Sequence, residues 1–177
     1  MAKICPETNE KVLYAECLEC EERGGCNLPG IKKEFFALLI VGSRSITDYR
    51  LVRDKIDKLI APIRDKYRFI VVSGGARGVD SLAKDYAREN GMEFHEMPAD
   101  FDRYGKRAGY IRNEEMHRFI SGYKHRGCVA FWSGKPESKG TLHSIELASK
   151  YNNPIRFVVP AKAGEAGTKN RRPPETG

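Results

Sequence analysis

The sequence predicts an α/β fold: a Rossmann-like, open and mostly parallel sheet with helices on both faces, plus a small N-terminal zinc-binding segment with four cysteines. Three observations lead to this prediction. Short apolar runs rich in β-branched residues alternate with segments whose apolar residues recur at helical spacing. Three of these runs are followed by a glycine-containing turn. Four of the five cysteines lie in the first 30 residues, apart from the alternating pattern.

The 177 residues fit one ordinary domain with a small appendage. We expect a cysteine segment over 1–30, a nucleotide-binding domain over 31–159 and a disordered tail over 160–177, where Ala, Gly, Lys, Pro and Glu follow no pattern. No apolar run approaches the length of a membrane span, and no signal peptide is visible. The expectation is a soluble, cytoplasmic protein without a membrane partner.

The cysteine segment has the spacing C-x11-C-x2-C-x5-C, formed by Cys5, Cys17, Cys20 and Cys26. The two-residue gap between Cys17 and Cys20 is typical of a turn that brings two thiolates to one tetrahedral zinc ion. Four cysteines leave no open coordination position, so the predicted zinc is structural. The alternatives are reduced, unliganded thiols, or disulfides in a secreted protein.

The first strand of the main domain is predicted at Phe35 to Val41, a continuous apolar run that is typical of a strand buried on both faces. It ends in the turn Gly42-Ser43-Arg44. Thr47-Asp48 then provides an N-cap for a helix whose apolar residues recur at core spacing, and Pro62 falls near the end of that helix.

The second strand, Phe69 to Val72, leads into the turn Ser73-Gly74-Gly75-Ala76-Arg77-Gly78 and a helix that stops at Asn90-Gly91. A strand, a glycine turn and a helix aim backbone N–H groups and the positive end of a helix dipole at an anion. Glycine permits the positive φ angles and the close approach of a ligand that such a turn needs. This stretch predicts the floor of a nucleotide-type site, with a ligand-free turn as the alternative.

The third strand is predicted at Glu93 to Met97, followed by a basic stretch, Phe101 to Gly109, that we expect to be irregular. A helix is predicted from Tyr110 to Ser121. Arg112 lies in the first turn of this helix, where a guanidinium can bind a phosphate or a carboxylate through two hydrogen bonds. A surface arginine is the alternative.

The fourth strand is predicted at Gly127 to Trp132 and the fifth at Ile155 to Val159. Between them, Gly140-Thr141 opens a helix, and Thr141 offers a hydroxyl group to a phosphate. Ligands of open parallel sheets bind at the carboxyl ends of the strands. We therefore expect the three glycine turns and the segment from Asp100 to Arg112 to converge on one edge.

The charge distribution suits an anionic ligand. Residues 1–30 hold 3 Lys and Arg against 6 Glu, whereas residues 31–159 hold 24 Lys and Arg against 16 Asp and Glu. A basic domain is typical of proteins that bind nucleotides, phosphorylated metabolites or nucleic acid. An ordinary solvated basic surface is the alternative.

Four stretches, VGSRSITDY, VSGGARGVDSLAKDYARENG, PADFDRYGKRAGYIRNEEM and KGTLHSIELA, resemble in this order the YspA-like branch of the SLOG superfamily. The resemblance covers about residues 35–159. It implies a Rossmann-like domain that binds a nucleotide or a nucleotide-derived molecule, such as an ADP-ribose-like molecule or a cyclic signal, as a sensor or sequestering module. Family members often associate through helix faces, which implies a homo-oligomer.

The resemblance implies ligand-binding roles for the residues at matching positions. These are Gly42, Ser43, Arg44, Ser73, Gly74, Gly75, Arg77, Gly78, Asp80, Lys106, Arg112, Asn113, Gly140 and Thr141.

Other members of the same superfamily have two further functions. LOG enzymes, which cleave the N-glycosidic bond of nucleotides, have a glutamate where this chain has Ser144, and this difference argues against LOG-type catalysis. The alternative of an N-glycosidic or phosphoester hydrolase of nucleotides stays open, with Asp80, Asp100 or Glu115 as substitute carboxylates. The motif from Ser73 to Asp80 is similar to that of DNA-processing protein A, which leaves single-stranded DNA as another partner.

Overall fold

The computed structural model describes residues 33–135 and 138–159, together with the short strands β1 (Ala2–Ile4) and β2 (Lys11–Leu13), which pair antiparallel. The main sheet consists of β3 (Phe35–Gly42), β4 (Arg68–Ser73), β5 (Glu93–Glu96), β6 (His125–Phe131) and β7 (Ile155–Val158). The strand order is β5-β4-β3-β6-β7, and every neighbouring pair in this sheet is parallel. The predicted fold class is confirmed.

The helices are α1 (Tyr49–Ile60), α2 (Val79–Glu89), α3 (Phe101–Tyr104), α4 (Ala108–Ser121) and α5 (Lys139–Lys150). Helices α1 and α2 pack on one face of the sheet, where Ile56 and Tyr86 are fully buried. On the other face α4 and α5 bury Met116, Ile120 and Ala148. Because both faces are covered, the central strands consist of apolar residues without alternation.

Local sequence explains where α1 begins. Asp48 Oδ1 accepts a hydrogen bond from the backbone N–H of Leu51 at 3.2 Å, which is the predicted N-cap. The connection from β5 to α4 differs from the expected irregular stretch. It forms α3 and a 3₁₀ turn, Gly105–Arg107, and α4 begins at Ala108 instead of Tyr110. Asp100 caps α3 by accepting from the N–H of Arg103 at 2.9 Å, a local interaction that outweighs the lack of an apolar pattern.

Two further predictions concern residues outside this description. Cys5, Cys17, Cys20 and Cys26 lie outside the described residues, as does the tail over 160–177, so the structural zinc and the disordered tail stay predictions. Within the described ranges, no group of His, Cys, Asp and Glu is suited to hold a metal ion. None of the helices described there combines the length and apolar character required to cross a membrane.

Candidate functional site

A cleft of about 400 Å³ opens at the carboxyl edge of the sheet, beside the end of β3. The chain places β4 and β5 on one side of β3, then crosses to the other side to form β6. The strand order therefore reverses between β3 and β6, and open α/β sheets bind ligands at such a point. The turn after β3 forms one part of the lining, and the first turn of α5, after β6, forms another.

Many of the predicted ligand-binding residues meet in this cleft. The predicted residues that line it are Gly42, Ser43, Arg44, Asp80, Arg112, Asn113, Gly140 and Thr141.

The other predicted residues do not line the cleft. They are Ser73, Gly74, Gly75, Arg77, Gly78 and Lys106.

Most of this second group belongs to the turn between β4 and α2, and the contacts show what these residues do instead. The Ser73 hydroxyl is buried and donates to the carbonyl oxygen of Ile40 at 2.8 Å, which ties β4 to β3. Gly74 offers its carbonyl oxygen to Arg112 at 2.5 Å. Lys106 and Arg77 are both exposed to solvent.

The lining also contains residues that sequence reasoning missed, among them Ser45 and Ser138. Ser43 Oγ donates to Ser138 Oγ at 2.8 Å and accepts from the backbone N–H of Ser133 at 2.9 Å. These hydrogen bonds join the turn after β3 to the loop after β6. Ser138 directly precedes α5, and a serine before a helical pattern is an N-cap signal that would have drawn attention to it.

Asp80 is the carboxylate in the cleft lining, and it is almost completely buried in the first turn of α2. Its Oδ2 accepts a hydrogen bond from the backbone N–H of Ala76 at 3.3 Å, and the backbone N–H groups of Gly42 and Gly74 also favour the charged form of the carboxylate. Burial raises the pKa of Asp80 to about 6, against the opposing effects of the Arg112 charge and these N–H groups.

Arg112 extends from α4 toward the same turn. Its Nη1 donates to the carbonyl oxygen of Gly74 and lies 3.7 Å from Asp80 Oδ2, while its Nε donates to Asn113 Oδ1 at 3.1 Å. Burial lowers the pKa of Arg112, and the Asp80 carboxylate acts in the opposite direction. The pair is thus a buried ion pair with additional hydrogen bonds, and neither charge is fully compensated by its partner.

Two side-chain contacts fix α4 against α5 beneath the cleft. Asn113 Nδ2 donates to the carbonyl oxygen of Gly140 at 2.9 Å. One turn further along both helices, His117 Nε2 and Ser144 Oγ lie 2.8 Å apart and are completely buried. Burial lowers the pKa of His117 to about 4, so its ring is neutral near pH 7. These contacts set the distance between Arg112 and the first turn of α5.

LOG-type hydrolysis requires a carboxylate beside the bond that is cleaved, so the positions of the carboxylates relative to the cleft test it. Ser144, which stands where the LOG enzymes have a glutamate, is buried against α4, and the nearby Glu146 does not line the cleft. Asp100 caps α3 and Glu115 is exposed, and neither lines the cleft. Asp80 does line the cleft, but backbone N–H groups and Arg112 already engage it.

The pKa of Asp80 predicts a pH-dependent stability. The folded protein holds this proton more tightly than the unfolded chain, whose aspartate has the ordinary pKa of 3.8. The contribution of Asp80 to the free energy of unfolding therefore falls as the pH rises from about 4 to about 6, by roughly 3 kcal/mol in total, and is constant above that range. Urea unfolding of the wild type and of Asp80→Asn, measured from pH 4 to pH 7.5, isolates this effect as the difference between the two. A difference that does not change with pH would contradict the raised pKa.

Comparison with known proteins places the chain in a family. Residues 36–104 match the model of the YspA, cpYpsA-related SLOG family. The chain is 38% identical over 126 residues to the Gene 61 protein of Mycobacterium phage D29, an alignment that covers 67% of this chain and 92% of that protein.

The solved structures that match this chain are less similar to it in sequence. DNA processing protein A (DprA) from Streptococcus pneumoniae is 20% identical with a TM-score of 0.48, and the match covers 73% of this chain and 52% of that one. The chain thus spans about half the length of DprA. A predicted subunit of tRNA methyltransferase from Methanocaldococcus jannaschii is 13% identical with a TM-score of 0.33, covering 75% of this chain and 70% of that one.

Proposed function

Because this chain belongs to the YspA, cpYpsA-related SLOG family, we propose that its cleft binds a nucleotide or nucleotide-derived ligand, of the ADP-ribose-like or cyclic-signal type, as a sensor or sequestering module. Family membership supports a nucleotide-related role. The binding role and the kind of ligand are our inference from the cleft.

The observation that carries this proposal is an uncompensated positive charge on one wall of the cleft. Arg44 lines the cleft, is exposed, and forms no ion pair with any described residue. Beside it, Gly140 and Thr141 present the first turn of α5, a 12-residue helix whose dipole is positive at this end. A solvent-exposed guanidinium next to a helix N-terminus favours a phosphate group.

The size of the cleft fits a ligand larger than an inorganic ion. Its volume of about 400 Å³ lies within the range of roughly 300–1,000 Å³ that small-molecule sites occupy. The hydroxyl groups of Ser45, Ser138 and Thr141 add donors and acceptors for a sugar.

Calorimetric titration with AMP, ADP, NAD, ADP-ribose and cyclic mono- and dinucleotides tests the proposal. We expect at least one of these to bind, and Arg44→Ala to weaken its Kd about 10- to 100-fold, because a charge-assisted hydrogen bond contributes about 1.5–3 kcal/mol. Arg50→Ala is the matched control, since Arg50 is an exposed arginine in α1 that does not line the cleft. Absence of binding across the series, or equal Kd values for Arg44→Ala and the control, would refute the proposal.

The same samples separate binding from turnover and from DNA recognition. Chromatography after the titration should return the nucleotide intact, because the Asp80 carboxylate is already engaged by the turn and by Arg112. Release of free base or phosphate would favour the hydrolase. Binding of a single-stranded oligonucleotide that weakens steeply with salt, without binding of the mononucleotides, would favour DNA.

A further inference from the structure

The glycine turn between β4 and α2 already contains an anion. Asp80, from the first turn of α2, directs its carboxylate back into this turn, where Oδ2 accepts from the N–H of Ala76 at 3.3 Å. The backbone N–H groups of Gly74 and, at the end of β3, Gly42 also favour the charged form of this carboxylate. A carboxylate that accepts a hydrogen bond from a backbone N–H of such a turn, at a helix N-terminus, occupies a position that a phosphate takes in similar turns.

The surroundings of the Asp80 carboxylate disfavour a second anion there. The Asp80 side chain is 5% exposed, and Arg112 Nη1 lies 3.7 Å from its Oδ2. The Arg112 guanidinium also fills the space against Gly74, where an added Cβ would overlap with Nη1. The Ala76 N–H is therefore already hydrogen-bonded, the space beside Gly74 is filled, and Arg112 is the counter-ion of Asp80.

We propose that Asp80 acts as a built-in anion of the β4–α2 turn, so that the anionic group of the ligand binds elsewhere in the cleft, at Arg44 and Ser45 and at the first turn of α5. This inference rests on the proposed function and specifies how the site achieves it. The part of the ligand that faces Asp80 then carries no negative charge, because two like charges so close together repel each other. A sugar or a base meets that requirement, whereas a second phosphate does not.

Two other segments of the cleft lining supply groups for the anion of the ligand. Arg44 and Ser45 are exposed at the end of β3, and Gly140 and Thr141 begin α5. The two segments are held together by the hydrogen bond between Ser43 Oγ and Ser138 Oγ at 2.8 Å. An arginine without an ion-pair partner in the described chain and a helix dipole thus act on the same space.

Amide chemical shifts of the wild-type protein test this assignment directly. The full-length chain, labelled with ¹⁵N, is titrated with ADP-ribose, whose diphosphate does not change its ionisation near neutral pH. We expect the largest shifts at Arg44, Ser45, Gly140 and Thr141, and small shifts at Gly74 and Ala76. The largest shifts at Gly74 and Ala76 would overturn the assignment while leaving the proposed function intact. A spectrum unchanged at saturating ADP-ribose, with the other nucleotides also without effect, would refute the proposed function and the assignment with it.

Chemical rescue provides a second test that does not depend on the ligand. In Asp80→Ala the amide groups and Arg112 are left without their anion, and formate should replace it. We expect sodium formate to raise the melting temperature of Asp80→Ala saturably by about 5 °C or more, with sodium chloride of equal ionic strength and the wild type showing no such rise. Equal responses to formate and chloride would contradict the built-in anion. Where Asp80→Ala does not fold, the shift experiment on the wild type still decides.

Discussion

Replacing Arg112 with methionine is expected to lower the free energy of unfolding by about 3–5 kcal/mol at pH 7.5, the range found when one partner of a buried ion pair is removed. Methionine fills much of the same volume but leaves the Asp80 carboxylate without its counter-ion. It also removes the hydrogen bonds that Arg112 donates to the Gly74 carbonyl oxygen and to Asn113 Oδ1. Since the guanidinium is mostly buried, solvent cannot replace these interactions.

A double-mutant cycle distinguishes the ion pair from simple packing. Denaturant unfolding is measured for the wild type, Arg112→Met, Asp80→Asn and the double variant. We expect the double variant to be less destabilised than the sum of the two single changes, because neither charge is then left alone. The loss in Arg112→Met should also be smaller at pH 5, where a carboxyl with a pKa of about 6 is mostly protonated.

The control for this experiment is Arg88→Met, which removes an arginine whose ion pair with Asp85 is largely exposed. Its effect should stay within about 0.5 kcal/mol, as for other surface changes. Additive effects of Arg112→Met and Asp80→Asn, with no dependence on pH, would show that the two side chains do not interact as the structure indicates.

The order and type of the main elements could be predicted because each carries a periodic signal. The apolar run at β3 and the helical spacing in α1 and α2 depend on local sequence alone. Because the predicted strands are apolar on both sides, helices were expected to cover both faces of the sheet. Helix α3 could not be predicted, since four residues are too few for a period and none of them is buried. The pairing of β6 with β3 is a contact between segments that are distant in the sequence. The sequence could therefore predict that the site lies at the carboxyl edge of the sheet, but not which strands lie next to each other there.

In the candidate site, too, local features could be predicted from the sequence and contacts between distant segments could not. Glycine turns after β3 and before α5 are local features, and both lie in the cleft. The β4–α2 turn carries an equally strong glycine signal, and the sequence therefore suggested a phosphate position. Asp80 instead accepts a hydrogen bond from the Ala76 N–H of this turn and pairs with Arg112, which extends from α4. A pattern can indicate that a turn suits an anion, but only the packing of a later helix shows that the protein supplies that anion itself.

Gly78→Ala is expected to have an effect as large as the loss of Arg112, for reasons of backbone geometry. Gly78 has φ +82° and ψ −132°, a conformation that residues with a Cβ rarely adopt. An added Cβ would lie 2.7 Å from the Cα of Arg44 and from the carbonyl oxygens of Ser43 and Arg44. These are backbone atoms of the turn after β3, so the overlap cannot be relieved by rotation of a side chain. Strain and overlap together should cost about 3 kcal/mol or more.

Gly91→Ala is the matched control, because Gly91 also has a positive φ of +61° but no atom within 4 Å of an added Cβ. The cost there should be about 1–2 kcal/mol, the backbone term alone. The difference between the two variants in denaturant unfolding therefore measures how tightly the β4–α2 turn packs on the turn after β3. Equal costs would mean that the β4–α2 turn and the turn after β3 can move apart without loss of stability. The larger cost at Gly78 would show that Arg44 is positioned by this contact, and Gly78 would then support the cleft although it does not line it.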